Sequence, residues 1–199
     1  TESVGSDEFV DEMIARGCRF VWNFTYIPVG KDADVSLLAT PGQREYMYRR
    51  VREIRNSKPI FALDFWNDGE FCSGCIAGGK SYLHINANGD AEPCAFIHYS
   101  NVNIKKASLL DALRSPLFRA YRQRQPFDEN LLRPCPLLDN PDALVEMVRE
   151  SKAESTELEA PEAVEMLCAK TRKAAEQWAP VAERLWKASR KERAGVGGG

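Results

Sequence analysis

The segment from Asp64 to Cys94 constrains this chain most, because it places three of the six cysteines among glycines and turn residues. Two residues separate Cys72 from Cys75, a spacing that lets two sulfurs of one loop bind a single metal centre. An Asn88-Gly89 pair follows between two segments of alternating polarity, which is a strong short-range signal for a β-hairpin. The pattern predicts a small metal-binding unit built on a loop and a hairpin.

The predicted hairpin has arms at 81–87 and 90–97, and its second arm carries Cys94. A two-residue turn sets Cys94 opposite Leu83, and the flexible glycines at 78–79 allow the preceding loop to return toward the same end. Pro93 lacks an N–H group, so we expect this arm to lie at a sheet edge or to end there.

The six cysteines fall into two groups. Cys18 and Cys168 lie in apolar-patterned segments and are interpreted as buried small hydrophobic residues. Cys135 lies between two prolines, which hold the backbone extended and remove competing donors, so it resembles a fixed ligand. A chain of 199 residues with long amphipathic helices does not depend on disulfide bonds, and metal binding is the preferred interpretation.

Two ligand sets remain open from the residues alone. If Cys135 completes the set begun by Cys72, Cys75 and Cys94, the four thiolates, the last of them distant and followed by proline, match an arrangement that iron–sulfur sites share. If His98 completes the set, three cysteines and one histidine suit zinc, and Cys135 is left unexplained.

The residues before the cysteines predict an α/β fold class. Segments 19–27 and 60–65 are rich in apolar, aromatic and β-branched residues and are predicted to be strands. Between them, Thr40, Pro41 and Gln43 have the pattern of a capping box that opens a helix to about residue 56. Strand, helix and strand of this length form a right-handed parallel unit, and the first strand is expected to be buried on both faces.

The predicted helix carries five arginines interleaved with Glu45 and Glu53, which favours a solvated outer face over an anion site. These arginines are Arg44, Arg49, Arg50, Arg52 and Arg55.

The loops that follow the two predicted strands lie at the carboxyl edge of the sheet, where α/β proteins bind their ligands. Five side chains in and beside these loops are therefore candidate substrate-cavity residues. They are Tyr26, Asp64, Trp66, Asn67 and Asp68. The alternative for each is structural, with a turn at 68–69 and the aromatic residues packed beneath it.

Helices are predicted after the hairpin. Two short helices, at 108–114 and 116–121, precede Cys135, and another runs over 141–151. The longest begins at Pro161, and its apolar residues recur at spacings of three and four. We expect this helix to dock on the chain rather than to form a coiled coil with a partner, and we expect Pro180 to kink it.

Composition and charge exclude several function classes. With 27 basic and 29 acidic residues the net charge is -2. This charge provides neither a chain-wide positive field that would attract nucleic acid nor a polybasic character that would favour binding to a membrane surface. No apolar run approaches the roughly 18 residues of a membrane span. We expect a soluble, cytoplasmic protein with neither a nucleic-acid nor a membrane partner.

Several of these motifs together resemble a known family. The CSGC sequence at 72–75, the glycines at 78–79, the HINANGDAEPC stretch that ends in Cys94, and RPCP at 133–136 look like the auxiliary-cluster region, of SPASM or twitch type, of radical S-adenosylmethionine (radical SAM) enzymes. The upstream YIPVG and FALDFWNDG sequences are similar to the last strands of the incomplete (β/α) barrel of that superfamily.

The resemblance implies three parts. Residues 1–69 would be the C-terminal strands and helices of a partial barrel, residues 70–140 a small hairpin-containing cluster domain, and residues 141–199 a helical C-terminal cover. It also implies one auxiliary 4Fe-4S cluster, used for electron transfer or substrate positioning, and no catalytic residue within the chain. The implied ligands are Cys72, Cys75, Cys94 and Cys135.

The chain departs from the family pattern in one respect. It contains no C-x3-C-x2-C triplet, which in the family binds the catalytic cluster and S-adenosylmethionine. We therefore expect this chain to be inactive alone and to belong to a longer enzyme. That parent would supply the amino-terminal barrel half with S-adenosylmethionine and a second 4Fe-4S cluster, and a donor such as flavodoxin or ferredoxin would reduce it. The competing hypothesis is a non-catalytic, zinc-ribbon-like binding module.

Overall fold

Two short helices open the chain. The computed structural model describes residues 1–196, with side chains described through Lys191. Helix α1 is Glu2–Gly5 and helix α2 is Asp7–Ala15. The side chain of Ser6 caps α2 by accepting a hydrogen bond from the N–H of Phe9, which satisfies a donor that the first helical turn leaves free.

A parallel β–α–β unit follows, as the sequence predicts. Strands β1 (Phe20–Asn23) and β2 (Phe61–Asp64) pair in parallel, and helix α3 (Pro41–Ser57) connects them. Thr40 and Gln43 form both hydrogen bonds of the predicted capping box. Strand β1 is shorter than the predicted 19–27 segment.

The two faces of this parallel sheet differ in burial. One face packs Val21 and Ala62 against α2 and α3. The other face presents Phe20, Trp22 and Phe61, which keep 51%, 44% and 54% of their surface accessible. The prediction that β1 is buried on both faces is therefore wrong within the described residues, because its aromatic face stays half-exposed.

The predicted hairpin is present, but its register differs from the prediction by one residue. Strand β3 (His84–Ile85) pairs with strand β4 (Ala91–Glu92), and His84 lies opposite Glu92. The loop has three residues rather than two, because Gly89 adopts a φ of +90° and the N–H of Asn86 bonds the carbonyl oxygen of Asp90. The placement of Cys94 opposite Leu83 is consequently wrong.

Short elements connect the hairpin to the rest of the fold. Strand β5 (Tyr99–Ser100) pairs in antiparallel fashion with strand β6 (Glu154–Ser155). Helices α4 (Leu109–Leu113) and α5 (Pro116–Arg124) form where two short helices are predicted. The apolar side chains of α5 enter the main hydrophobic core, so this helix supports the loops around it.

Two further helices cover the molecule. Helix α6 is Pro141–Ser151, and helix α7 runs from Val164 to Val196, starting three residues after the predicted Pro161. Helix α7 packs on α6 and α3, and the indole N–H of Trp178 donates to the carbonyl oxygen of Leu132 at 3.0 Å. The prediction of a docked helix is confirmed. Helix α7 continues through Pro180, and residues 197–199 of the predicted extension lie outside the described residues.

The described residues form three two-stranded sheets and no closed barrel. The architecture is mixed helix and strand, and the parallel unit agrees with the predicted α/β class, while the partial barrel and the three domain boundaries stay predictions. Among the helices described, none combines the length and the apolar character that crossing a membrane requires.

Candidate metal centre

Four cysteines line one cavity of about 520 Å³ that the parallel sheet and α5 also border. Cys72 follows a 3₁₀ turn at Gly69–Phe71, and Cys75 lies in the same loop. Cys94 follows β4, and Cys135 lies in the loop before α6. The structure thus brings together all four cysteines that the family resemblance implies as ligands, although Cys135 is distant from the others in sequence.

Backbone N–H groups point at the sulfurs of three of these cysteines. The N–H of Ala77 donates to Cys75 Sγ at 3.4 Å, and the N–H of Leu138 donates to Cys135 Sγ at 3.3 Å. Cys94 likewise accepts hydrogen bonds from the backbone that follows it. Such bonds favour the thiolate, which is the form of cysteine that binds metals.

Burial opposes ionisation of the same thiols when no metal is bound. Burial is the largest cause that raises the pKa of Cys75, to about 12, and it raises the pKa of Cys94 and Cys135 above the usual range as well. The pKa of Cys72 is also raised by burial, with the charge of Lys80 acting in the opposite direction. Thiolates in this cavity therefore need a positive partner, which a metal centre provides.

Gly69 lets the loop of Cys72 approach the loop of Cys135. A Cβ at this position would lie 2.2 Å from the carbonyl oxygen of Leu131 and 3.1 Å from Cβ of Pro134. Any larger residue would push the two loops apart, so the close approach of the first and last cysteine segments depends on glycine here.

Asp139 holds the backbone of Cys135. The side-chain Oδ2 of Asp139 accepts a hydrogen bond from the backbone N–H of Cys135 at 3.1 Å, and the backbone N–H of Asp139 donates to the carbonyl oxygen of Cys135 at 3.0 Å. Its Oδ1 forms a buried salt bridge of 2.7 Å with Arg44, whose guanidinium also lies 4.2 Å from the ring centroid of Trp178. One carboxylate thus ties the Cys135 loop to α3 and, through Arg44, to α7.

The prediction that the arginines of α3 form a solvated outer face is correct only for Arg49, whose side chain is 59% accessible. Arg44 is buried, and Arg50, Arg52 and Arg55 are partly buried in ion pairs. The prediction fails because Arg52 and Arg55 reach acidic side chains in the loop after β2, and Arg44 reaches the loop of the last cysteine. These partners are far away in sequence.

Two tyrosines border the cysteine sulfurs. The hydroxyl of Tyr82 lies 2.7 Å from Cys94 Sγ. Tyr121 is fully buried and lines the cysteine cavity, and its hydroxyl has no hydrogen-bond partner among the residues that the structure describes. An unpaired buried hydroxyl costs about 1–3 kcal/mol, so a group bound in this cavity could satisfy it.

The donor set consists of four thiols around one cavity, and thiolates are the donors that iron–sulfur clusters use. Within residues 1–191, no three His, Cys, Asp or Glu side chains lie close enough together to hold one ion.

His98, the alternative fourth ligand, does not line the cysteine cavity. Its Nδ1 bonds a carboxylate oxygen of Glu157, and its Nε2 lies 3.0 Å from the carbonyl oxygen of Ala95. Both ring nitrogens are therefore engaged by other groups.

The five candidate substrate-cavity residues divide between two cavities. Trp66 and Asp68 line the cysteine cavity, Tyr26 and Asn67 line a neighbouring cavity of about 270 Å³, and Asp64 lines both. Asp64 is buried, which raises the pKa of its carboxyl group, and that group accepts hydrogen bonds from the backbone N–H groups of Trp66 and Asn67. Asp64, Trp66, Asn67 and Asp68 build the turn after β2, whereas Tyr26 follows β1. A role of these residues in substrate binding stays a prediction.

The remaining cysteines lie apart from this cavity, and all six cysteines are free thiols. Cys168 is fully buried in the main core, which confirms its interpretation as a small hydrophobic residue. Cys18 is partly buried against the core beneath α3.

Sequence reasoning missed the buried Arg44 and the hydroxyl of Tyr121. Arg44 lies four residues before Tyr48 and seven before Val51, both buried, so the helical period could have placed it on the inner face of α3. Tyr121 and Phe118 are both buried on α5, but no sequence pattern indicates that the hydroxyl of Tyr121 borders the cysteine cavity.

Comparisons with known proteins identify one part of the chain. No curated protein and no solved structure gives a significant match. The family model that does match covers the four cysteines of the cavity and the hairpin between them. Residues 72–136 match SPASM, an iron–sulfur cluster-binding domain, and iron–sulfur cluster binding is the activity that this match indicates.

Proposed function

We propose that Cys72, Cys75, Cys94 and Cys135 bind one auxiliary 4Fe-4S cluster, and that the chain is the carboxy-terminal part of a radical SAM enzyme. The observation that carries the proposal is that four cysteines from three separate segments of the chain border one cavity. The match of residues 72–136 to an iron–sulfur cluster-binding domain supports it. Bound there, the cluster would supply one-electron transfer or a point of contact for substrate.

The residues of this chain hold and shield the bound group. The backbone N–H groups beside Cys75, Cys94 and Cys135 favour thiolates, and Asp139 fixes the loop of the last cysteine. The aromatic rings of Phe65, Trp66 and Phe96 make the cavity wall largely apolar and limit the access of water. Burial and hydrogen bonding are the means by which proteins adjust the reduction potential of such clusters.

The same cavity continues to the exposed aromatic face of the parallel sheet, because Trp22, Phe61 and Leu63 also line it. Parallel sheets are usually covered on both faces. We infer that the amino-terminal barrel half of the parent enzyme covers this face, so that the auxiliary cluster borders the barrel interior.

In the proposed enzyme, reductive cleavage of S-adenosylmethionine depends on a second cluster bound outside these residues, because the chain contains no C-x3-C-x2-C triplet. A donor such as flavodoxin or ferredoxin would supply the electrons. This chain then contributes the auxiliary site and part of the cavity wall rather than the residues that cleave the cofactor.

Anaerobic reconstitution of the chain with iron and sulfide tests the proposal. We expect about four irons and four sulfides per chain, with broad visible absorption. Cys135→Ala should lose the cluster, and His98→Ala should keep it, because both ring nitrogens of His98 are engaged elsewhere. Stoichiometric, colourless zinc with the opposite pattern of variants would overturn the proposal in favour of a zinc-binding module.

A further inference from the structure

The hydroxyl of Tyr121 is a polar group of the cysteine cavity that has no hydrogen-bond partner among the described residues. Tyr121 is 0% accessible, and its hydroxyl makes no hydrogen bond to any residue described. Buried polar groups nearly always have a partner, so an orphaned hydroxyl calls for an explanation. Tyr121 lines the same cavity as Cys75, Cys94 and Cys135, the proposed ligands.

The ring of Tyr121 is fixed in place from two sides. A Cβ at Gly78 would lie 2.5 Å from its Cδ1, so the glycine backbone packs directly on the ring. The ring of Phe127 meets it edge-on, with centroids 5.4 Å apart. The hydroxyl therefore cannot turn toward solvent. A tyrosine hydroxyl carries a proton at neutral pH, so it can donate a hydrogen bond.

Tyr82 provides a second donor of the same kind. Its hydroxyl lies 2.7 Å from Cys94 Sγ, within hydrogen-bond distance. When Cys94 is a thiolate, the direction of this hydrogen bond is settled, because the sulfur then has no proton to donate.

We propose that Tyr121 is a positioning residue that donates its hydroxyl hydrogen bond to a sulfur of the bound cluster or of its cysteine ligands, together with Tyr82, which donates to Cys94. The inference rests on the proposed function. Hydrogen bonds to sulfur withdraw negative charge and so stabilise the reduced, more negative state of a cluster. The two tyrosines thereby raise the reduction potential of the auxiliary site.

Redox titration of the reconstituted chain, followed by electron paramagnetic resonance, tests this inference. Tyr121→Phe and Tyr82→Phe should each retain the iron content of the parent chain and shift the midpoint potential to more negative values. Tyr99→Phe is the matched control, because this buried tyrosine donates to the carbonyl oxygen of Glu162 and does not line the cysteine cavity. Its potential should be unchanged.

A second readout separates hydrogen bonding from a structural effect. Electron–nuclear double resonance of the reduced chain should contain a coupling to an exchangeable proton that disappears in Tyr121→Phe and persists in Tyr99→Phe. If Tyr121→Phe loses iron, 3-fluorotyrosine at position 121, a stronger donor, should shift the potential in the positive direction.

The failure of this inference is distinguishable from failure of the proposed function. A parent chain that binds no iron–sulfur cluster contradicts both. A chain that binds the cluster but keeps the same potential and the same exchangeable-proton coupling in Tyr121→Phe contradicts only the role of Tyr121.

Discussion

Asp139 is the residue through which the last cysteine is connected to the rest of the fold. Its carboxylate accepts hydrogen bonds from the N–H of Cys135 and from the guanidinium of Arg44. The salt bridge is almost inaccessible to solvent, because the side chains of Arg44 and Asp139 are 4% and 0% accessible. Breaking a buried ion pair leaves the remaining charge without compensation in a medium of low polarity.

We predict that Asp139→Asn lowers the free energy of unfolding by about 3–5 kcal/mol, because Arg44 then keeps an unpaired buried charge. Urea unfolding of the chain measures this. The matched control is Glu45→Gln, which removes the partner of Arg184 in an exposed contact that also joins α3 to α7 and which should cost only about 0–1 kcal/mol. Equal losses in the two variants would contradict a special role for Asp139.

At the residue scale, the sequence predicts the cysteines better than it predicts their supports. The glycines, prolines and turn residues around Cys72, Cys75, Cys94 and Cys135 are local signals. The Arg44–Asp139 pair joins positions 95 residues apart, and no local pattern encodes such a pairing.

At the scale of elements, local chemistry predicts starts and turns but not the register of the hairpin. The capping box at Thr40 forms as expected because both partners lie within one helical turn. The register of the hairpin differs from the prediction by one residue because a left-handed Gly89 closes a three-residue loop. An Asn-Gly pair is compatible with loops of two and of three residues, so it does not determine the register. This difference leaves the proximity of Tyr82 to Cys94 unpredicted.

A substitution at Gly78 tests how closely the cysteine loop packs against α5. It has a φ of +68°, and an added Cβ would meet the Tyr121 ring at 2.5 Å. We predict that Gly78→Ala lowers the free energy of unfolding by about 1–2 kcal/mol for the left-handed backbone and by a further 1–3 kcal/mol, approximately, for overpacking.

Gly30→Ala is the control for this variant in the same unfolding measurement. Gly30 has a φ of +84° and no atom within 4 Å of an added Cβ, so it should lose only the backbone contribution of about 1–2 kcal/mol. If the two alanine variants lose the same amount, the contact between Gly78 and Tyr121 contributes nothing.

At the scale of the whole molecule, the exposed aromatic face of β1 and β2 is the feature that the chain leaves incomplete. The aromatic content of β1 predicts burial on both faces, yet α2 and α3 cover only one of them. Burial depends on what packs against a strand, and the sequence of the strand alone does not specify the covering element. The proposed barrel half would supply it.

We predict that Phe61→Ser weakens binding of the chain to the separately expressed amino-terminal half of its parent, because Phe61 lies half-exposed on the aromatic face. Because Phe61 is about half-buried and its ring packs on Phe20, the variant should also lower the free energy of unfolding of the chain alone by about 1–2 kcal/mol. Leu158→Ser is the control, since Leu158 is 77% accessible and lies far along the chain, beyond β6. Calorimetric titration with equal affinities for both variants would contradict this assignment of the interface.

Anomalous diffraction at the iron absorption edge, from crystals of the anaerobically reconstituted chain, tests the central claim most directly. We predict one compact group of about four iron sites inside the cavity, with Cys72, Cys75, Cys94 and Cys135 as the nearest ligands. A single metal site, or one that includes His98 in place of Cys135, would contradict it.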